Sequence, residues 1–282
     1  MIAYTKIRSY AKINLSLNVV GKKQSLHKIE SIISFINLHD KISVKATKEK
    51  NHKIKFTGKF SKGIKTNNTI SQLLKIIDKD RLLKGKKFEI LIEKNIPTMA
   101  GFGGGSMNAA SILKFLIENK FFSLSKKSIN DICYSIGSDV ILGMYNKNLI
   151  LKANKEINEF IVKKKVFTLL IKPPFGCSTK KIFSKVKHFK KNKLNKSSIS
   201  MFDLNYLKKM NNDLEEVVTN EHPKVNSLKN FLKKLPKVEF VRMTGSGSAF
   251  IAYFQSSKMC KLAEKKVKKN FKNYWCKIAK TI

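Results

Sequence analysis

Four glycines in five positions, Gly101-Phe102-Gly103-Gly104-Gly105, are the residues of this chain best suited to chemistry. They lie within Ile96-Pro97-Thr98-Met99-Ala100-Gly101-Phe102-Gly103-Gly104-Gly105-Ser106-Met107-Asn108-Ala109-Ala110. Glycines let a backbone take positive φ and approach a ligand without a Cβ in the way. Successive N–H groups can then converge on one anion, and the positive end of a following helix adds to them. The chemistry would be phosphate binding. The P-loop pattern fails because Gly105 is followed by Ser106-Met107 rather than Lys-Ser/Thr, and the dinucleotide pattern fails because Ser106 stands where a third glycine belongs. The plain alternative is a mobile surface loop ahead of an ordinary helix.

Two further patches and one acid join it. In Ser9-Tyr10-Ala11-Lys12-Ile13-Asn14-Leu15, with His27 and Glu30 beyond, Lys12 and Asn14 share the polar side of a strand. They read either as solvated strand residues or as a lysine held rigidly near an anionic substrate. Arg242-Met243-Thr244-Gly245-Ser246-Gly247-Ser248-Ala249 is a second small-residue turn, suited to a second wall around a phosphate chain or to a plain hairpin. Asp139, in Gly137-Ser138-Asp139-Val140, follows a helix end; it is a turn residue unless a lysine and a phosphate lie nearby.

The elements that must position these residues are legible from periodicity and caps. Phe88, Ile90 and Ile92 alternate along a half-buried strand before the glycines, and Ala109, Ile112, Leu113 and Leu116 recur at helical spacing after them, with Ser106 as the expected cap. Residues 6–20 read as a strand and 29–46 as more strand. Thr69–Ile77 reads as a helix entered through Asn67-Asn68, and a helix capped by Ser125 or Ser128 runs to about Ile136 and stops at Gly137. Val166–Ile171 is a buried strand, 185–200 a loop, 204–217 and 224–234 helical. Val238–Met243 and Ser248–Phe254 are strands, and a basic helix closes the chain. Strands and helices mix without strict alternation, so the fold class is α+β.

Composition narrows the function. A chain of 282 residues with 42% hydrophobic content can bury a large core, as one domain or two lobes. No apolar run reaches membrane-spanning length, and the start of the chain lacks a signal-peptide core, which points to a cytoplasmic protein without a membrane partner. Cys133, Cys177, Cys260 and Cys276 show no C-x-x-C spacing and read as reduced structural thiols. The net charge of +39 invites a nucleic-acid reading, yet it is almost all lysine. Arginine, the usual reader of phosphates and guanine edges, occurs only at 8, 81 and 242. A general attraction for polyanions, nucleotides included, explains the charge without a specific nucleic acid.

Taken together, Ala11-Lys12-Ile13-Asn14-Leu15, the glycine loop with Asn108-Ala109-Ala110, Gly137-Ser138-Asp139-Val140 and Arg242–Gly247 resemble, in order, the motifs of the GHMP kinase superfamily. Within it they are most similar to the branch that phosphorylates a cytidine-diphosphate-linked methylerythritol in the non-mevalonate isoprenoid pathway. The resemblance implies a two-lobed α+β fold with its active site in the cleft, an N-terminal ATP-binding lobe over 1–160 and a C-terminal lobe over 161–282. It implies ATP, with Mg²⁺, along Pro97, Thr98, Met99, Ala100, Gly101, Phe102, Gly103, Gly104, Gly105, Ser106 and Met107. It makes Asp139 the catalytic base and Lys12 its partner, with Asn14 lining the methylerythritol pocket, His27 on the cytosine and Phe183 packing beside a base. No metal ligand is named, and the expected state is a monomer or weak homodimer. Two departures stand out. Ser25-Leu26 replaces the family's Gly-Tyr before His27, removing an aromatic stacking surface, and Met107 replaces a second serine. The rivals are a sister kinase acting on homoserine or a mevalonate-type alcohol, and a basic RNA-binding protein.

Overall fold

The computed structural model describes residues 3–24 and 26–282. In chain order its elements are β1 (Thr5–Lys23), β2 (Leu26–Thr47), β3 (Lys53–Thr57), α1 (Thr69–Lys79), β4 (Lys87–Glu93), α2 (Gly104–Glu118) and α3 (Lys126–Ile136). There follow β5 (Asn148–Leu151), β6 (Ile157–Phe160), β7 (Phe167–Lys172), α4 (Thr179–Ser184), α5 (Leu204–Lys209), α6 (Leu214–Glu221) and α7 (Lys224–Lys233). The last are β8 (Phe240–Met243), β9 (Phe250–Phe254), α8 (Ser257–Asn270) and β10 (Trp275–Lys280). The chain forms two compact units, each drawn from several segments because β1 and β2 run through both.

The first unit comprises the segments up to Ala11, Leu38–Pro97 and Gly103–Asn146. Here β4 lies between β3, parallel to it, and the Lys41–Thr47 half of β2, antiparallel. Its alternation works as the pattern expects, with Phe88, Ile90 and Ile92 buried. Helix α1 starts where a capping box forms: the Asn68 side chain accepts the Ile70 and Ser71 N–H groups, and the Ser71 hydroxyl accepts the Asn68 N–H. Its apolar stripe of Ile70, Leu73, Leu74 and Ile77 is buried, and α1 packs against α2 and α3. Ser125 caps α3 by accepting the Ser128 N–H at 3.1 Å, and Gly137 ends it.

The second unit comprises Lys12–Asn37, Thr98–Phe102 and Lys147–Ile282. Ser31–Ile33 of β2 pairs antiparallel with β5, which pairs with β6. A separate antiparallel sheet has the order β10-β7-β9-β8. The core formed around it includes Leu169, Ile171, Val218, Leu228, Phe250, Phe254, Cys260 and Val267.

Two expectations are corrected in this unit. The helix over 204–217 is two helices, because Asn211 and Asp213 leave the helical path to pair with Leu17. Leu17 N–H donates to the Asn211 carbonyl at 3.0 Å, and Asp213 N–H to the Leu17 carbonyl at 2.9 Å. The basic helix does not close the chain either. After α8 the segment Trp275–Lys280 becomes β10, because β7 offers it a full ladder of partners.

Candidate active site

The glycine loop is shared between the units, with Pro97 and Gly103–Met107 in the first and Thr98–Phe102 in the second. In the first unit α2 begins at Gly104, and its N-cap is Gly103 at φ +69°, a left-handed conformation that favours glycine. Ser106 therefore sits inside the first turn, and no side chain caps the helix, which corrects the expectation for Ser106. The first N–H groups of a helix have no partner inside it, so this uncapped end keeps its donors for a ligand. A Cβ on Gly104 would lie 3.0 Å from Ile96 Cγ2 and 3.4 Å from Lys94 Nζ, so the helix start is packed directly on the incoming chain. Met107 and Asn108 point inward and are buried.

The entry to the loop is pinned by a fully buried carboxylate. Asp40 Oδ1 accepts the N–H groups of Asn95 at 2.7 Å and Ile96 at 2.8 Å. Its Oδ2 accepts Asn108 Nδ2 at 3.0 Å and pairs with the Lys94 ammonium. Sequence reasoning missed this network, because Asp40, Lys94 and Asn108 are neither neighbours in the chain nor part of a recognisable spacing. Asp139 also belongs to this unit, half-buried just past α3, where its carbonyl accepts the Leu142 N–H at 3.2 Å.

In the second unit Met99–Phe102 threads along the 244–249 turn. Ala249 N–H donates to the Ala100 carbonyl at 3.2 Å and Ser248 N–H to Met99 at 3.4 Å. Gly101, at φ +85°, comes so close that a Cβ would lie 1.9 Å from the Thr244 carbonyl oxygen. The Thr244 hydroxyl accepts the Asn14 N–H at 3.0 Å and donates to the Gly101 carbonyl at 3.4 Å. Asn212 Nδ2 braces the turn from below, bonding the Met243 and Gly245 carbonyls at 2.8 Å each. The Arg242–Ala249 stretch is thus more than a hairpin turn: it locks loop, turn and β1 together.

Lys12 enters this assembly through its backbone and its side chain. Its N–H donates to the Phe102 carbonyl at 3.1 Å, and its ammonium donates to Asn14 Oδ1 at 2.8 Å. A Cβ on Gly245 would lie 3.4 Å from Lys12 Nζ. Lys12 is only 3% exposed, and the β1 residues from Ala11 to Val19 are buried on both faces, which excludes the solvated-strand reading. Asn14 Nδ2 in turn donates to Ser31 Oγ at 2.8 Å. The Asn14 amide thus ties Lys12 to β2.

His27 and Phe183 also meet in this unit, their rings 5.2 Å apart and tilted by 39°. Phe189, an exposed ring that sequence reasoning passed over, is 6.2 Å from His27. Burial, and then the Lys22 charge, lowers the His27 pKa, so its imidazole is neutral at pH 7. Leu26 projects outward at 67% exposure, and Ser25 lies outside the described residues. Below this patch the buried Glu30 carboxylate accepts the Lys193 N–H at 2.7 Å and the Leu194 N–H at 3.0 Å, tying the 185–200 loop to β2.

Comparison with known proteins gives these groups a context. The family profile "GHMP kinases N terminal domain" matches residues 68–147, which contain Pro97–Met107 and Asp139. A 4-diphosphocytidyl-2-C-methyl-D-erythritol kinase of Pelagibacter ubique (strain HTCC1062) is 52% identical over 277 residues, covering 98% of this chain and 99% of that protein. A protein of the same name from Wigglesworthia glossinidia brevipalpis is 34% identical over 263 residues, covering 91% of this chain and 82% of the relative. Among solved structures, a 4-(cytidine 5'-diphospho)-2C-methyl-D-erythritol kinase superposes with a TM-score of 0.79 at 19% identity, covering 98% of this chain and 99% of its own. Homoserine kinase from Cytophaga hutchinsonii gives 0.72 at 14%, covering 99% and 94%. At such identities the structural likeness shows a common fold.

Proposed function

Since this chain belongs to the 4-diphosphocytidyl-2-C-methyl-D-erythritol kinase family and has the α+β GHMP kinase fold, we propose that it is an ATP-dependent kinase of the non-mevalonate isoprenoid pathway. It transfers the γ-phosphoryl of ATP to the 2-hydroxyl of 4-diphosphocytidyl-2-C-methyl-D-erythritol. Likeness over nearly the whole chain to relatives named for this one acceptor carries the choice of substrate.

Phosphoryl transfer asks a protein for alignment and for stabilisation of charge on the equatorial oxygens. The triphosphate lies along Pro97–Met107, where the uncapped α2 terminus offers N–H groups and a positive dipole end. Asp139 accepts the proton of the acceptor hydroxyl while its oxygen bonds to phosphorus, and the bond from phosphorus to the bridging oxygen breaks to release ADP. Lys12 offsets repulsion between the incoming oxygen and the phosphate. Asn14 lines the methylerythritol pocket and orients Lys12 through their buried hydrogen bond. His27 reads the cytosine through a neutral ring, and Phe183 packs beside the base.

The described residues include no group of three or more His, Cys, Asp or Glu side chains able to hold a metal. Mg²⁺ fits this enzyme as an ion carried on the ATP phosphates, where it neutralises charge and needs few protein ligands. A cytoplasmic location, with no specific nucleic-acid or membrane partner, belongs to the same reading, as does a monomer or weak homodimer. The four free cysteines support the location.

Steady-state ATP consumption with four acceptors tests the proposal: the cytidine-diphosphate-linked methylerythritol, its uridine analogue, homoserine and mevalonate. The first should give the highest kcat/KM. Cytosine presents an amino donor where uracil presents an acceptor, and a site built for one leaves buried groups unpaired with the other. A preference for homoserine or mevalonate would leave the kinase fold in place and remove the acceptor assignment.

A further inference from the structure

We propose that Asp40 is the positioning residue of the nucleotide loop, fixing its entry and its helix through one buried carboxylate; this rests on the kinase reading above. The carboxylate touches both ends of the loop. One oxygen holds the N–H groups of Asn95 and Ile96, the last residues before Pro97. The other holds Asn108, one turn into α2, and the Lys94 ammonium. Lys94 is itself fixed to the sheet, its N–H donating to the Thr57 carbonyl at 2.7 Å. Asp40 is 0% and Lys94 3% exposed.

Stability alone does not account for this arrangement, since a buried ion pair is often matched or bettered by an apolar pair of similar volume. Asn108 makes the same point. Its Oδ1 is buried with no hydrogen-bond partner among the described residues, so the amide is retained at a cost while its Nδ2 bonds Asp40. What these polar groups supply is direction. Two N–H bonds orient the strand exit, and a third bond ties the same carboxylate to the first turns of α2. The glycines between them have no side chains with which to hold a shape. The loop's freedom is thereby confined to the residues that face the phosphates.

Three variants test this by direct ATP titration and by steady-state kinetics, with the unfolding midpoint recorded for each. D40L/K94M removes the charges together, so no lone charge stays buried. Its ATP dissociation constant and KM should rise about 10- to 100-fold while KM for the acceptor stays put. D40N/K94M restores an oxygen for the Asn95 and Ile96 N–H groups and should recover most of that loss. N108A cuts only the link to α2 and should weaken ATP roughly three- to tenfold. A folded D40L/K94M that binds ATP like the wild type would overturn the proposal. So would equal losses for ATP and acceptor, which signify general loosening. Should D40L/K94M fail to fold, N108A decides: unchanged ATP affinity there overturns the proposal equally. A wild-type protein that binds ATP but turns over none of the acceptors would instead strike the function, leaving the titrations to judge Asp40.

Discussion

A general base must be able to receive a proton at the moment the oxygen attacks, and an amide cannot do so. Asp139→Asn should therefore lower kcat by about 10²–10⁴-fold. KM for ATP should move little, because the carboxylate acts on the acceptor hydroxyl. Lys12→Met should give a similar loss, and the double variant should fall far short of the product of the two if they act as a unit. Fully additive losses in kcat would separate them. The glycines make different demands. Gly101→Ala must place a Cβ at positive φ and against the Thr244 carbonyl, whereas Gly63, also at positive φ, faces open space. The first change should cost about 1–3 kcal/mol more than Gly63→Ala in chemical denaturation. It should weaken ATP binding as well, and equal costs would mean that the Thr244 contact is not held in solution. At this scale the residue types were legible: clustered glycines signal backbone approach wherever they occur. Which glycine matters, and how, was not. Gly104 is helical and packed on Ile96, while Gly101 is the residue pressed on Thr244, a partner 143 positions away that no local pattern reveals.

Elements that carry their own start and stop signals were read well from the sequence. The caps at Asn68 and Ser125 and the alternation of Phe88, Ile90 and Ile92 sit within a few residues of what they control. The break between α5 and α6 and the closing strand β10 depend on Leu17 and on β7, so no local window contained them. One joint between elements makes a test. His52, just before β3, accepts the Phe88 N–H on Nδ1 at 3.0 Å and faces Asp78 of α1 through Nε2 at 3.2 Å. That acceptor role requires the neutral ring. Burial, joined by the Lys87 charge, lowers the His52 pKa against the upward pull of the Asp78 carboxylate. For Asp78 itself burial pushes upward, but Lys87 and His52 together hold its pKa below the usual carboxylate range. The sign for His52 follows: below about pH 6.5 the unfolded chain binds a proton that the folded one refuses. Stability should thus be full at pH 7.5 and fall as pH drops toward 5.5. His52→Gln can offer an oxygen to Phe88 and an amide to Asp78, so it should flatten that slope. Thermal unfolding of both proteins across this range measures it, and identical slopes would remove His52 as the cause.

For the molecule as a whole the dominant physical fact is charge: 58 Lys and Arg against 19 Asp and Glu, a net +39. Exposed ion pairs such as Lys41–Glu93 and Lys53–Glu49 absorb little of it, and such pairs contribute about 0–1 kcal/mol each. The positive field therefore extends outward and acts on any polyanion. Two of its consequences differ in their response to salt. Long-range attraction is screened over about 8 Å at physiological ionic strength, so it speeds encounter with ATP at low salt and fades as salt rises. Contacts made by the loop amides are short-ranged and persist. The kcat/KM for ATP should fall as KCl is raised from low to physiological concentration, with kcat nearly constant, because the field acts before chemistry. Nucleic acid is the counter-case. Duplex and single-stranded oligonucleotides should bind with a steep dependence of log K on log[salt], as counterion release dictates, and without regard to sequence. They should compete with ATP only at low ionic strength. The scarcity of arginine and the lack of a reading motif argue for this generic behaviour. Titrations with both kinds of oligonucleotide at about 0.15 M salt, alongside the ATP kinetics, measure the two together. Sub-micromolar, sequence-selective binding that survives that salt would show that the charge serves a second, specific function, and the kinase reading would no longer be the whole account of this chain.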